Sequence, residues 1–304
     1  MGAVHDIILA HGKQGALDLG HPRDVIEAAS AYLGDEESGI GYLYSGWCQA
    51  ALPHKRLPDD KGWQIKTENS GLIVEPGMRF GSGNEPVPVG VPYGSKARMI
   101  LFFLQSEALR TGSPQVLLGH SMREWLKRMN LPWGGKNIAL VRDQAERIAR
   151  CRMTFQVQRG TKIGLVNQNI VEMAMFDDKE ESCGVFIENA RLSDSFFAQL
   201  KKHPVPLADS AVRALSNNSM GLDVYAWLAY RLHVLERPTP VSWKALKGHF
   251  GLGVERVRDF RRLFLGNLQL ALSVYPAAKV DTSEAGLTLH PSSPPISPRK
   301  ILAW

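Results

Sequence analysis

The period of apolar residues along the chain changes several times, and each change marks a new element. Between residues 40 and 94, short apolar strings such as Gly71-Leu-Ile-Val74 alternate with Gly/Pro-rich stretches (Pro76 to Gly83, then Pro86, Pro88 and Pro92). That pattern predicts strands and turns rather than helices. From Ser95 the period becomes helical. Ile100, Phe103, Leu104 and Ala108 stripe a helix over 96–110, ended by Gly112 and Pro114. Ser121-Met-Arg-Glu124 is a capping box that opens a short helix to about 129, and Asn130-Leu-Pro-Trp-Gly-Gly135 breaks it. A longer helix over 136–150 follows, with Ile138, Val141, Ala145 and Ile148 on its apolar face and Lys136, Asp143, Arg147 and Arg150 opposite. Strand-like strings at 152–157, 164–171 and 184–187 come next, with turns at Gly160 and 177–182.

After Pro204 and Pro206 the same order returns. A helix over 222–235 places Tyr225, Leu228, Leu232 and Leu235 on one side, and Arg237-Pro-Thr-Pro240 stops it. Ser242 caps a short helix through Gly248, residues 249–253 turn, and a long helix runs to about Ala271. Val257, Phe260, Phe264 and Leu268 line its inner face, and Glu255, Arg258, Asp259, Arg262 and Gln269 the outer one. Val280 and Leu287-Thr-Leu289 fit a short hairpin. Helix, turn, helix and β-ribbon is the order of a winged helix-turn-helix. The expected fold is therefore α+β: tandem winged helix-turn-helix domains with an N-terminal Gly/Pro-rich, strand-containing extension. The expected divisions are a peripheral segment at 1–39 with one helix after Pro22, a first domain at 40–205, a second at 206–290, and a Pro/Ser-rich tail at 291–304.

Composition supports two ordinary domains: 304 residues, 44% hydrophobic and 22% charged. The net charge of +6 is unremarkable by itself, but its placement is not. Residues 120–162 hold ten basic against three acidic side chains, and 244–262 hold six against two, so the rest of the chain is net acidic. Both basic clusters fall on the predicted helix-turn-helix segments. Neutralised phosphates release counterions and supply most non-specific affinity, so this placement predicts a double-stranded DNA surface. Arg can read guanine, and Asp or Glu can accept from cytosine. The candidate contacts are Arg123, Lys127, Lys136, Arg142, Arg147 and Arg150 in the first domain, and Lys244, Lys247, Glu255, Arg258, Asp259 and Arg262 in the second.

Other chemistry is sparse. There is no GxxxxGK[ST] phosphate loop, Gly81-Ser-Gly83 is a lone turn signal, and no His-x-His pair supports metal-dependent nicking. Asp177, Asp178, Glu180 and Glu181 read as an acidic hairpin tip, and Tyr42 and Tyr44 as alternating strand residues. The seven tryptophans, among them Trp125, Trp227 and Trp243 on predicted helices, read as core anchors. Cys48, Cys151 and Cys183 form no metal or redox motif and read as reduced thiols of a cytoplasmic protein. The longest near-apolar run, Met99-Ile-Leu-Phe-Phe-Leu104, is too short to span a membrane, and the N-terminus lacks the pattern of a signal peptide. No catalytic residue, cofactor or metal is expected.

Several strings resemble the RepA family of plasmid replication initiators. They are Gly90-Val-Pro-Tyr-Gly-Ser-Lys-Ala-Arg-Met-Ile-Leu101, Gly119-His-Ser-Met-Arg-Glu-Trp-Leu126, Gly134-Gly-Lys136 and Arg142-Asp-Gln144. Gly39-Ile-Gly-Tyr-Leu-Tyr44, Pro53-His-Lys55, 223–232 and Ser242-Trp-Lys-Ala-Leu246 extend the resemblance to roughly residues 39–296. It implies a bacterial initiator that binds repeated sites (iterons) at a plasmid origin, helps open the duplex, and recruits a host initiator and the replicative helicase. It also implies a homodimer in equilibrium with a monomer, bearing on copy control. A winged-helix transcriptional repressor without initiator activity is the alternative, and an origin-nicking endonuclease or primase is a third reading from a different class.

Overall fold

The computed structural model describes residues 3–35, 39–67, 70–81, 83–159, 162–177 and 186–297. The chain divides into two compact units: a discontinuous one, residues 1–49 with 205–304, and a continuous one, residues 50–204.

The N-terminal part of the discontinuous unit contains α1 (Ala3–Asp18, kinked at Gly12), α2 (Arg23–Leu33), β1 (Ile40–Tyr44) and α3 (Ser45–Gln49). The described residues 3–35 and 39 of the segment expected as peripheral are instead tied into this unit's core. Val25, Ile26, Ala28 and Ala29 of α2 are buried, His5 Nε2 hydrogen-bonds the Ser273 carbonyl at 2.8 Å, and Gly39 O accepts from the Asp209 amide at 3.0 Å. The reason is amphipathic spacing: an α2 with small and branched apolar residues on one side needs a surface to cover, and residues far along the chain supply it.

The continuous unit opens with β2 (Trp63–Lys66), β3 (Ser70–Glu75), β4 (Gly77–Phe80) and β5 (Pro86–Gly90). Next come α4 (Gly94–Thr111), β6 (Gln115–Leu117), α5 (Met122–Arg128) and α6 (Gly135–Arg150). Then follow β7 (Arg152–Arg159), β8 (Lys162–Gln168), β9 (Val171–Asp177), β10 (Phe186–Leu192) and α7 (Asp194–Lys202). Gly112 closes α4 in the left-handed region (φ 66°), as its position after the apolar stripe predicts.

The discontinuous unit then resumes with β11 (Pro204–Ala208), which pairs with β1, followed by α8 (Asp209–Ala214) and α9 (Ser219–Arg231). It ends with β12 (Thr239–Ser242), α10 (Trp243–Phe250), α11 (Val257–Leu272), β13 (Val280–Thr282) and β14 (Gly286–Leu289). Its core is aromatic: Phe260 and Phe264 are fully buried, with Phe264 5.4 Å from the Phe250 ring and 6.1 Å from Trp243. The described part of the segment expected as a tail, residues 291–297, is also tied down. The Ser293 carbonyl accepts from the Tyr275 hydroxyl at 2.7 Å, and Ile296 is buried.

The fold is thus mixed α and β, with helices and antiparallel sheets. Both units contain one chain path: helix, strand, helix, helix, then two strands. In the continuous unit the path is α4-β6-α5-α6-β9-β10, and the sheet order is β6-β10-β9. In the discontinuous unit it is α9-β12-α10-α11-β13-β14, and the order is β12-β14-β13. In both sheets the last strand lies between the first and second. The continuous unit departs in one respect. β7 and β8, expected to begin the ribbon, instead join β2 and β3 in an antiparallel sheet ordered β2-β3-β7-β8, inserted between α6 and the β9–β10 hairpin. Sequence periodicity marks strands, but pairing partners many residues apart decide which sheet a strand joins. The expected acidic turn at 177–182 lies, beyond Asp177, outside the described residues, as do Cys183 and residues 298–304.

Candidate nucleic-acid interface

In both units a short helix is followed by a turn and a 16-residue helix, and the two helices of each pair start differently. Both short helices are capped by serine. The Glu124 amide donates to Ser121 Oγ at 3.2 Å, while the Glu124 carboxylate accepts from the His120 amide at 2.9 Å. The Ala245 amide donates to Ser242 Oγ at 3.2 Å. The long helices begin at Gly134 and Arg256 with no side-chain cap. Their first amides and the positive end of the helix dipole are thus available to an anion.

In the discontinuous unit the sequence-predicted polar face is present. Arg258 and Arg262 lie one turn apart on α11, both exposed, and neither has an ion-pair or hydrogen-bond partner among the described residues. Glu255 is exposed in the preceding turn and Asp259 is half-buried in the first turn of the helix. Lys244 is exposed and Lys247 half-buried on α10. Val257 is 47% exposed rather than part of the core, because the inner face of α11 begins only at Phe260. Arg261 is held inside the unit. Its guanidinium makes two bonds to the Glu284 carboxylate (2.9 and 3.1 Å) and lies over the Trp243 ring at 5.2 Å. Arg256, at the helix start, is exposed and belongs with the candidate surface; its location just outside the apolar period hid it.

In the continuous unit the candidates separate. Arg123, Lys127 and Lys136 are exposed, and Arg142 is half-buried along α6. Arg150 is exposed, but its guanidinium donates to the Met78 carbonyl at 3.0 Å and pairs with Glu146 at 3.2 Å, so it is oriented by the β4–β5 hairpin. Arg147, expected on the DNA-facing side, is buried at 2% exposure. Its Nε donates to Asp143 at 2.9 Å and its Nη2 to Asp59 at 3.0 Å, and it lies over the Tyr93 ring at 5.3 Å. Asp59 also takes Arg56 at 2.8 Å, and Gln144 Oε1 accepts from the Tyr93 amide at 2.7 Å. Burial raises the Asp59 carboxyl, but hydrogen bonds from Arg56 and Arg147 and their charges outweigh it and hold the group below the usual carboxylate value. On the helical wheel Arg147 borders the core side, and two separate segments, one carrying Asp59 before β2 and one carrying Tyr93 before α4, cover that border. Arg147 is therefore held inside the unit as a clamp, not displayed on the exposed face where it was expected.

Two further parts of the family-like strings have internal roles. Arg98 is buried and donates to the carbonyls of Leu52 and Gly94, each at 2.8 Å. Gly90 adopts φ +77°, where a side chain is strained, and a Cβ there would overlap Arg147 Nη1. Trp125, Trp227 and Trp243 are core residues, as their periodic positions predict, whereas Trp133 between α5 and α6 is 58% exposed. Among the described residues no group of His, Cys, Asp and Glu is arranged to hold a metal ion. Cys48 and Cys151 are buried free thiols, both pushed up by burial. No described helix is long and apolar enough to cross a membrane.

Comparison with curated proteins gives no match. Among solved structures, the chain is similar to one titled as the crystal structure of selenomethionine derivatives of domain 2 and domain 3 of RctB. The TM-score is 0.52 and the identity 10%, over 84% of this chain and 99% of that one. A second structure, of RctB domains 2–3, aligns at 12% identity and a TM-score of 0.46, over 80% of this chain and 94% of that one. A family model described as plasmid encoded RepA protein matches residues 91–244, which run from the start of α4's approach through the first residues of α10. That match spans half of the sequence and includes α5, α6 and the buried Arg98 and Arg147, and on it the chain belongs to the family of plasmid encoded RepA proteins.

Proposed function

We propose that this chain is a plasmid replication initiator that binds double-stranded DNA at repeated origin sites through two winged-helix units. The observation that carries the proposal is the repeated path of helix, strand, helix, helix and hairpin, with the last strand central in each sheet. In a winged helix-turn-helix the second helix of the pair enters the major groove and the hairpin flanks it. Each long helix here starts uncapped, and the discontinuous unit's α11 presents the exposed, unpaired Arg258 and Arg262. Membership of the plasmid encoded RepA family supports a replication role. The α11 face lies outside the family match, so its role rests on geometry alone.

In this reading Arg258, Arg262 and Arg256 of the discontinuous unit contact bases and phosphates, with Glu255 and Asp259 tuning base choice and Lys244 and Lys247 contacting backbone. Arg123, Lys127, Lys136, Arg142 and Arg150 form the corresponding surface of the continuous unit. Local duplex opening and recruitment of a host initiator and replicative helicase follow binding, with a monomer–dimer equilibrium controlling occupancy. The protein performs no covalent chemistry itself, and supercoiled plasmid incubated with it and a divalent cation is expected to stay supercoiled.

Footprinting on the DNA flanking the gene tests the proposal. Protection of directly repeated sites at helical-turn spacing, weakening steeply as salt rises, is expected. Protection of a single inverted repeat over a promoter, and nothing else, would favour a transcriptional repressor instead.

A further inference from the structure

Trp133 is out of place by the rule that governs the other helix-associated tryptophans. The residue is 58% exposed, while Trp125, Trp227 and Trp243 are each at most 6% exposed. The exposure does not come from a loose turn. Leu131, two residues earlier, is buried and its amide donates to the Leu126 carbonyl at 2.8 Å. Asn137 Nδ2 donates to the Pro132 carbonyl at 2.8 Å, fixing the peptide that carries Trp133. Asn130 holds φ 54°, the left-handed turn that swings the chain between the two helices. The indole is therefore held outward by a built turn.

Its surroundings specify a partner. The Arg123 guanidinium lies over the indole at 5.9 Å from the ring centroid, and Lys127 and Lys136 are exposed nearby in sequence on the flanking helices. The one acidic side chain between residues 120 and 137, Glu124, is committed to capping. Gly134 and Gly135, which follow the indole, face open space where a Cβ would stand. An exposed aromatic plane beside an arginine and open backbone, flanked in sequence by two exposed lysines, suits a flat ring on an anionic chain. In a paired duplex the base faces are covered by their neighbours, so an indole gains stacking only on a base that has left the stack.

We propose that Trp133 is a stacking platform for an unpaired base, held by the continuous unit when the duplex opens, with Arg123, Lys127 and Lys136 taking the adjoining phosphates. This rests on the DNA-binding reading above and adds to it a preference for opened DNA located at one turn.

The test uses the full chain in anisotropy titrations at low salt. One labelled probe is a mixed-sequence duplex, and the other is the same duplex with its central pairs replaced by thymine–thymine mismatches. The wild-type protein is expected to prefer the mismatched probe by about 5- to 150-fold, the range that stacking on one base supplies. Trp133→Ala is expected to abolish that preference while changing intact-duplex affinity less than about twofold. Trp133→Phe, which keeps an aromatic face, retains part of it. Equal loss on both probes in Trp133→Ala, a preference that survives the substitution, or a wild type with no preference would each overturn the proposal. A wild type that binds both probes equally leaves the DNA-binding reading intact, whereas one that binds neither overturns both. Unchanged circular dichroism and melting of Trp133→Ala confirm that the variant is folded, as expected for an exposed ring.

Discussion

Arg147→Ala separates an internal clamp from a DNA contact, because the two roles predict opposite results. The Arg147 side chain is 3% exposed and makes charge-assisted bonds of 2.9 and 3.0 Å to Asp143 and Asp59, with a longer one of 3.4 Å to the Val91 carbonyl. Each charge-assisted bond is worth about 1.5–3 kcal/mol, and breaking a buried pair by removing one partner costs about 3–5 kcal/mol. Asp143 and Asp59 are 37% and 35% exposed, so water reaches them once the guanidinium is gone. Asp59 also keeps Arg56, and Asp143 keeps the Gln144 amide at 2.8 Å. These compensations place the loss at the low end, about 3 kcal/mol. For a unit of this size that corresponds to a fall in Tm of roughly 6–12 °C. Differential scanning calorimetry of the full chain reads it directly. DNA affinity measured well below the transition should stay within about twofold of wild type, since no phosphate or base contact is removed. Arg147→Lys should recover little, because an ammonium cannot span both carboxylates as the planar fork does. An Arg147→Ala protein that melts like wild type yet binds DNA much more weakly would refute the reasoning and return Arg147 to the interface.

The remaining expectations follow from neighbouring features. Arg258→Ala and Arg262→Ala should each cost about 1–3 kcal/mol in binding to the cognate site with no change in Tm; a uniform loss across DNA sequences would make them phosphate contacts, and no loss would remove α11 from the groove. Gly90→Ala should destabilise the continuous unit by about 1–3 kcal/mol through its left-handed backbone. Because the added methyl also collides with Arg147, the double variant with Arg147→Ala should lose less than the sum of the singles in chemical denaturation; strict additivity would show that the two do not touch. The Asp59 carboxyl is held low by Arg56 and Arg147, so its contribution is fully present above the unfolded value of about 4 and is lost as pH falls through the folded value. Wild type should therefore lose more stability than Arg147→Ala between neutral pH and pH about 3 in urea titrations, and parallel curves would count against the clamp. Phe264→Ala, at a fully buried ring between Phe250, Phe260 and Trp243, should cost about 3–5 kcal/mol and leave no folded discontinuous unit to bind DNA.

The helix pairs were legible in the sequence because their signals are local. The Ser121 and Ser242 caps, the Gly112 stop and the 3.6-residue apolar stripes each act within one or two turns of chain, and each is where periodicity places it. Sheet membership was not legible. β7 reads as a strand from its own residues, but its partner β3 lies some eighty residues earlier, and nothing in the β7 string names that partner. The docking of α1 and α2 escaped for the same reason, since His5 finds its partner at Ser273, 268 residues away.

Charge was the least legible property, and Arg147 and Arg258 show why. Both are arginines on 16-residue helices, both lie away from the main apolar stripe, and by composition they are interchangeable. What distinguishes them is an aspartate 88 residues upstream of Arg147 that no spacing rule connects to it, and the absence of any such partner among the described residues for Arg258. A count of basic residues therefore coincides with both helix pairs but overstates the exposed charge of the first. Ten cations in 120–162 include one that is buried in the clamp and one, Arg128, that donates to Glu107 at 2.7 Å from the end of α5. With these subtracted, eight cations remain in 120–162 against six in 244–262, so the margin between the two segments narrows without reversing. The continuous unit's distinctive feature is the exposed Trp133 indole beside Arg123, while α11 carries the exposed Arg258 and Arg262. In the reading proposed above, the two units share one chain path yet meet different states of the same DNA through the side chains they leave exposed.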